Sequence, residues 1–131
     1  MCRLVYCATP SRMTRNKKKI MDFVTARGCA PFHPFQAFEY KRFEGGPVGR
    51  DKTMEFCCRA IDICDEFWMF GISEGTLKEL CHVLKQNSVS KNPKPIRLFL
   101  NEFDKNWRAE YRKLKVWFGD PLREIIGEEI E

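Results

Sequence analysis

Several features that define large classes of proteins are missing from this sequence of 131 residues. It has no apolar run near the ~20 residues that a transmembrane helix requires, and its N-terminus lacks the apolar core of a signal peptide. It has no CxxC pair, and its seven cysteines are an odd number, which argues against a disulfide framework and a zinc ribbon. We therefore expect a cytoplasmic protein without membrane contact, in a reducing compartment.

Strong charge of one sign is also missing. The 23 lysines and arginines oppose 18 aspartates and glutamates, a net charge of +5 that favours encounter with phosphates. This excess falls short of a dedicated nucleic-acid binder, and the basic run at residues 15–19 is interpreted as a solvated helix face. Apolar residues make up 44% and charged residues 31%, the mixture expected of one globular domain over residues 1–131.

Metal-binding patterns are absent as well. Cys57 and Cys58 are adjacent on a predicted helix, so their side chains do not converge on one metal ion. His82 has no partner at metal-ligand spacing and is expected to be structural or exposed. We expect neither a metal nor a cofactor. Most of the seven cysteines lie in apolar segments, where a thiol packs as a small hydrophobe. The seven are Cys2, Cys7, Cys29, Cys57, Cys58, Cys64 and Cys81.

The chain alternates between apolar segments and segments with helical periodicity. Such alternation predicts an α/β fold with a parallel sheet and helices on both of its faces. Pro31 and Pro34 confine the second strand to a sheet edge or an extended segment, and residues 36–49 form a long loop. The predicted strands are 3–8, 29–35, 66–71 and 96–101, and the predicted helices are 11–28, 50–63, 74–87, 104–119 and 120–131.

The carboxyl ends of the strands are where such a sheet binds ligands, near the point at which strand order reverses. Residues 7–12 and 70–76 follow the first and third strands and are the candidates for this edge. Gly71, Ser73 and Gly75 lie in the second segment, where glycine permits close backbone approach and free amides bind anions. Ser73 either caps the next helix or contacts a phosphate, and Gly75 either serves the ligand or only eases packing.

Glu79 lies one helical turn beyond Gly75. Because helical side chains lean toward the N-terminus of their helix, Glu79 is expected to point back over the turn. A partly desolvated carboxylate there could attack a sugar carbon or steer a water. The alternative is an ordinary solvated charge.

The loop region supplies further candidates. His33 follows the second strand and either contacts a base or sugar or is structural, the interpretation we favour. The aromatic residues around the loop either stack on a base, form the loop's own small core or make a subunit contact; they are Phe32, Phe35, Phe38, Tyr40 and Phe43. Arg42 and Arg50 pair either with a phosphate or with Glu39 and Glu44.

Three segments, LVYCATPSR, IDICDEFWMF and SEGTLKEL, together resemble the nucleoside 2-deoxyribosyltransferase superfamily, which includes deoxynucleoside 5′-monophosphate N-glycosidases. The sharpest part is the Ser-x-Gly-x-x-x-Glu-Leu spacing that ends in Glu79 and Leu80. The resemblance extends over residues 3–100. It implies a three-layer flavodoxin-like or Rossmann-like fold with a parallel sheet of four to five strands.

The resemblance also implies a reaction and a set of site residues. The family cleaves or exchanges the bond between base and deoxyribose, with Glu79 in the place of the nucleophile that forms a glycosyl-enzyme intermediate. The 5′ end of a nucleoside or nucleotide would lie near the first turn and near Ser73, and a homo-oligomer, at least a dimer, would complete the site. The other residues implicated are Tyr6 or Cys7, close to the sugar or base, and Thr9, Ser11 and Arg12 in the first turn.

Two positions depart from the family pattern. Cys57 stands where an aspartate usually orients the nucleophile, and Leu77 replaces a second glycine. A non-catalytic nucleotide-binding module is therefore an alternative hypothesis. The Gly75-Thr76 pair followed by Glu79 is also similar to cytokinin-activating phosphoribohydrolases, although their fuller Gly-Gly-x-Gly-Thr run is missing here.

Overall fold

The computed structural model describes residues 3–128, and its strands and helices alternate along the chain as predicted. Cys2 and the end of the predicted last helix, residues 129–131, lie outside this part. The strands are β1 (Arg3–Ala8), β2 (Cys29–Phe32), β3 (Glu66–Met69) and β4 (Ile96–Leu98). The helices are α1 (Lys17–Thr25), α2 (Pro34–Ala37), α3 (Arg50–Ile63), α4 (Glu74–Val89), α5 (Leu100–Phe103), α6 (Trp107–Phe118) and α7 (Pro121–Ile126).

The four strands form one parallel sheet in the order β2-β1-β3-β4. The predicted parallel sheet is confirmed, and β2 with its proline lies at an edge, where a missing amide donor is tolerated. From β1 the chain first adds β2 on one side and then β3 on the other. The strand order therefore reverses between the carboxyl ends of β1 and β3, which is where an open α/β sheet forms a crevice.

Side chains of β1 alternate between two hydrophobic cores because successive residues of a strand point to opposite faces. Tyr6 and Ala8 pack into the larger core, with α3, α4, α6 and α7. Val5 and Cys7 pack into the smaller core, with α1. The sheet is thus covered on both faces, which gives the three layers expected of a Rossmann-like fold.

The first predicted helix, residues 11–28, is broken in the structure. Ser11–Asn16 is a 3₁₀ helix, and Met13 within it has non-helical dihedral angles (φ −103°, ψ 16°). The α-helix begins only at Lys17. Met13 is buried in this turn, beside Gly71, so tertiary packing outweighs the helical period of the sequence.

The fourth predicted strand, residues 96–101, is too long. Its last sheet contact is the Phe99 amide, which donates to the Met69 carbonyl oxygen at 2.9 Å, and α5 begins at the next residue. Short apolar runs do not distinguish a strand from a buried helix by periodicity alone. The first two residues of the predicted loop 36–49 belong to α2, which begins inside the predicted second strand 29–35. The His33 ring caps α2 by accepting from the Phe35 amide at 3.2 Å.

At the C-terminal end, α6 buries Trp107 and Tyr111, whereas Trp117 is 80% exposed. Asp120 precedes α7, and its side chain makes no capping hydrogen bond to the helix. The Tyr111 hydroxyl takes that role instead: it donates to Asp120 and accepts from the Leu122 amide at 3.1 Å.

Candidate active site

A cavity of about 150 Å³ lies at the carboxyl ends of β1 and β3. Both segments predicted for this edge contribute to it, Thr9 and Ser11 from the turn after β1 and residues 73–76 from the start of α4. The remaining wall comes from α2 and its loop (Pro34, Phe35, Phe38, Glu44), from α3 (Arg50, Thr53, Met54, Cys57) and from Glu79. The sheet topology thus brings together parts of the chain that are far apart in sequence.

Glu79 lines this cavity from the second turn of α4, and only 5% of its surface is exposed. The Tyr6 hydroxyl donates a hydrogen bond to its Oε2 atom. Burial raises the pKa of the Glu79 carboxyl to about 8, because desolvation outweighs the hydrogen bond from Tyr6, which lowers it, and the Glu44 charge raises it further. The expected orientation of Glu79 toward the crevice is therefore what the structure has.

The position of Tyr6 follows directly from the register of the sheet. Tyr6 is paired with Phe32 of β2 and with Phe67 of β3. Its ring stacks on both, with centroid distances of 5.9 Å and interplanar angles of 18° and 5°. Because two neighbouring rings hold the phenol ring, its hydroxyl is fixed at Glu79. Burial and the Glu79 charge raise the Tyr6 pKa well above its usual value, so the hydroxyl stays protonated and donates.

Cys57 completes a cluster with Tyr6 and Glu79. It lines the cavity from α3 and is buried. Burial, followed by the Glu79 charge, raises the pKa of the Cys57 thiol to about 12, so the thiol is neutral. Where the family resemblance expects a second carboxylate, the site therefore has a neutral group. Because this second carboxylate is replaced by a neutral thiol, one source of negative charge beside Glu79 is removed.

The start of α4 forms the polar side of the cavity. Ser73 is the N-cap: its Oγ accepts from the Thr76 amide at 3.1 Å, while the Ser73 amide donates to Thr76 Oγ1 at 2.9 Å. Helix geometry leaves the amides of Glu74 and Gly75 without an intrahelical acceptor. Ser73 is thus a cap, as one of its two interpretations predicted, and its hydroxyl still faces the cavity.

The two glycines of this turn differ in what surrounds them. A Cβ atom at Gly71 would lie 2.6 Å from Met13 Sδ and 2.7 Å from Pro10 Cδ, so Gly71 is needed to pack the two turns together. A Cβ atom at Gly75 would find its nearest neighbours at 3.7 Å, which is ordinary contact. Packing therefore does not require a glycine at position 75.

Tyr6 and Gly71 do not line the cavity themselves, and three further predicted site residues lie elsewhere. Cys7 belongs to the core on the opposite face of the sheet from Tyr6. The Arg12 guanidinium binds both carboxylate oxygens of Asp104, at 3.3 and 2.8 Å, and the Ile72 carbonyl oxygen at 2.8 Å. His33 is buried; its Nδ1 accepts from the Phe35 amide, and burial lowers its pKa to about 4. None of the three contributes to the cavity wall.

The loop supplied wall residues that sequence analysis had left undecided. Phe35 and Phe38 line the cavity, whereas Phe43 packs on Phe38 and Phe56 in a small core of the loop. Arg50 pairs with Glu44, one of the two carboxylates predicted for it, and also with Glu74, which was not predicted. No sequence signal marked Thr53 or Met54, which reach the cavity only because α3 crosses that edge of the sheet.

Comparison of the chain with models of known protein families, with curated proteins and with solved structures finds no match. Within residues 3–128, no group of three or more His, Cys, Asp and Glu side chains is arranged to hold a metal ion. None of the helices in that range is both long enough and apolar enough to cross a membrane. The assignment of a function therefore depends on the geometry of the cavity.

Proposed function

We propose that this protein cleaves the N-glycosidic bond of nucleosides or nucleoside 5′-monophosphates, with the Glu79 carboxylate as the nucleophile. The observation that carries this proposal is the Glu79 carboxyl itself, buried against the cavity and held by the Tyr6 hydroxyl. Buried carboxyl groups with strongly shifted pKa values are concentrated in functional sites. The resemblance of the SEGTLKEL segment to deoxyribosyltransferases implies a nucleophile at the same residue.

The geometry supports a two-step reaction. Tyr6 occupies Oε2 of Glu79, which leaves Oε1 to approach C1′ of a sugar in the cavity. As the bond from C1′ to the base breaks, its electron pair leaves with the base, which takes up a proton from solvent water, and positive charge develops on the sugar. Oε1 then bonds to C1′. Water hydrolyses this intermediate, or a second base displaces Glu79, so the same site serves hydrolysis or transfer.

The size of the cavity limits what it encloses. A dry cavity of about 150 Å³ holds a single benzene-sized ring in other proteins, and this cavity also measures about 150 Å³. The sugar therefore fits inside, and the base extends outward past Phe35 and Phe38. A neighbouring subunit would cover the base there, so we expect the working protein to be at least a dimer.

A non-catalytic nucleotide-binding module is the second candidate. Cys57 favours it, because a neutral thiol stands where a second carboxylate would orient the nucleophile. The same cap, amides and aromatic wall would then bind a ligand without breaking it. Ligands that raise the melting temperature while all base remains attached would select this candidate.

The decisive experiment incubates the protein with a panel of nucleosides and 5′-monophosphates and measures free base by chromatography. Glu79→Gln should lower base release at least about 1,000-fold, because the amide cannot form the glycosyl intermediate. Glu55→Gln is the matched control, since Glu55 is an exposed carboxylate of α3 paired with Lys52 at 3.0 Å, outside the cavity. Undiminished base release in Glu79→Gln would refute the proposed nucleophile.

A further inference from the structure

The cation expected at the phosphate end of the site is not available there. The family resemblance implies that Arg12 lies beside the 5′ end of the ligand. In the structure its guanidinium makes a two-pronged ion pair with the buried carboxylate of Asp104 and also donates to the Ile72 carbonyl oxygen. Asp104 accepts from the Ile72 amide at 3.0 Å as well. Arg12 thus holds the turn after β3 in place and does not line the cavity.

The cation that does line the cavity is already paired. The Arg50 guanidinium lies 3.6 Å from a carboxylate oxygen of Glu74 and 4.0 Å from one of Glu44. Glu74 also pairs with Lys78, at 3.1 Å. A phosphate that approached Arg50 would have to displace these carboxylates or sit beside them.

The remaining charges in the cavity wall oppose an anion. Among the described residues that line it, the ionisable carboxyl groups are Glu44, Glu74 and Glu79, against the single guanidinium of Arg50. With Glu79 protonated at pH 7, as its pKa of about 8 implies, two carboxylates still face one guanidinium. Glu74 also lies in the first turn of α4, where its negative charge already interacts with the positive end of the helix dipole. A phosphate bound at that end would have to compete with it.

What the wall offers is suited to hydroxyl groups. The Ser11 hydroxyl and the Gly75 amide are neutral groups of this wall. The Thr9 hydroxyl donates to the Cys7 carbonyl oxygen at 3.1 Å, so it offers a ligand only an acceptor. The Ser73 hydroxyl accepts from the Thr76 amide at 3.1 Å as the helix cap. The geometry therefore points to uncharged nucleosides as the substrate class of this site, with Glu44 and Glu74 as the residues that disfavour 5′-monophosphates. This inference rests on the proposed function, because it assumes that the cavity is where the sugar binds.

The test measures binding rather than turnover, so that it remains informative if the chemistry fails. The Glu79→Gln variant is used because it should leave the glycosidic bond of the bound ligand intact. In this variant, titration calorimetry should show at least about tenfold tighter binding of a 2′-deoxynucleoside than of its 5′-monophosphate. When Glu74→Gln or Glu44→Gln is added to this variant, the ratio of the monophosphate Kd to the nucleoside Kd should fall at least about threefold. The main cause should be tighter binding of the monophosphate. Adding the control Glu55→Gln should leave the ratio unchanged.

Three results would overturn the inference: a monophosphate that binds as tightly as the nucleoside, a ratio that responds equally to the control variant, or no binding of either ligand. The outcomes also separate the inference from the proposed function. Nucleosides that bind the native protein and are not cleaved would refute the proposed chemistry while the preference stands. Base release from monophosphates in preference to nucleosides would confirm the chemistry and refute the preference.

Discussion

Glu79→Gln should stabilise the protein by an amount that grows with pH. The carboxyl has a pKa of about 8 in the folded protein against 4.5 for the free group, because burial penalises its charged form. Glutamine has the shape of the protonated acid, accepts the same hydrogen bond from Tyr6 and never ionises. The variant therefore keeps the contacts of the neutral site and removes only the cost of ionising it.

The sign and size follow from proton linkage. Between pH 4.5 and about 8 the folded protein keeps the Glu79 proton while the unfolded chain has lost it. The contribution that the protonated Glu79 carboxyl makes to the free energy of unfolding is thus fully present below pH 4.5 and is lost as the pH rises through 8. The native free energy of unfolding falls by about 1.4 kcal/mol per pH unit across this window, on the order of 5 kcal/mol in all.

The assay is urea denaturation of both proteins at pH 5, 6, 7, 8 and 9, followed by tryptophan fluorescence. The difference in free energy of unfolding should be near zero at the acid end and reach several kcal/mol at pH 9. Taking the difference cancels His33, whose folded pKa of about 4 costs the native protein stability as the pH falls below 6.5. Glu55→Gln should give a difference that does not vary in this way. A Glu79→Gln difference that is flat from pH 5 to 9 would show that Glu79 ionises normally, and would refute the reasoning.

Two further predictions concern the same site. The kcat/KM for base release should rise as the pH increases through about 8, because the nucleophile must be ionised. A fall in kcat/KM over that range would assign Glu79 the role of an acid instead. Gly71→Ala should destabilise the protein by about 1–3 kcal/mol in urea denaturation through contact with Met13. Gly75→Ala should add up to ~1 kcal/mol of stability yet lower kcat/KM roughly 10–100-fold. Full activity in Gly75→Ala would show that the backbone at Gly75 does not approach the substrate.

The sheet could be predicted from sequence because each strand is a local apolar run and the helices between the strands dictate parallel pairing. The position of the crevice followed from the same pattern, since the ends of β1 and β3 must meet wherever the order reverses. Element ends were less predictable. In the run at residues 96–101 the apolar residues continue through Leu100, and only the Phe99 bond to Met69 shows where the strand stops.

Charge partners in the site were not predictable, because they depend on contacts between residues distant in sequence. Arg12 meets Asp104 across 92 positions, and Tyr6 meets Glu79 across 73. Sequence alone shows that Arg12 follows a strand end, which is equally compatible with a phosphate partner and with a carboxylate. The structure decides between them, and in doing so it changes the expected charge of the site.

The pairing of the cationic side chains bears on why position 79 holds a glutamate rather than a side chain that cannot ionise. A buried carboxyl is ordinarily given a cationic partner, which lowers its pKa and fixes its charge. Among residues 3–128, Arg12 pairs with Asp104 and Arg50 with Glu74, while the only hydrogen-bond partner of the Glu79 side chain is the neutral hydroxyl of Tyr6. If the side chain at this position were purely structural, glutamine would suit it better, because glutamine does not ionise and so does not lower the free energy of unfolding at high pH. An ionised Glu79 without a cation is instead most strongly stabilised by positive charge that develops in the cavity, as it does on a sugar that is losing its base.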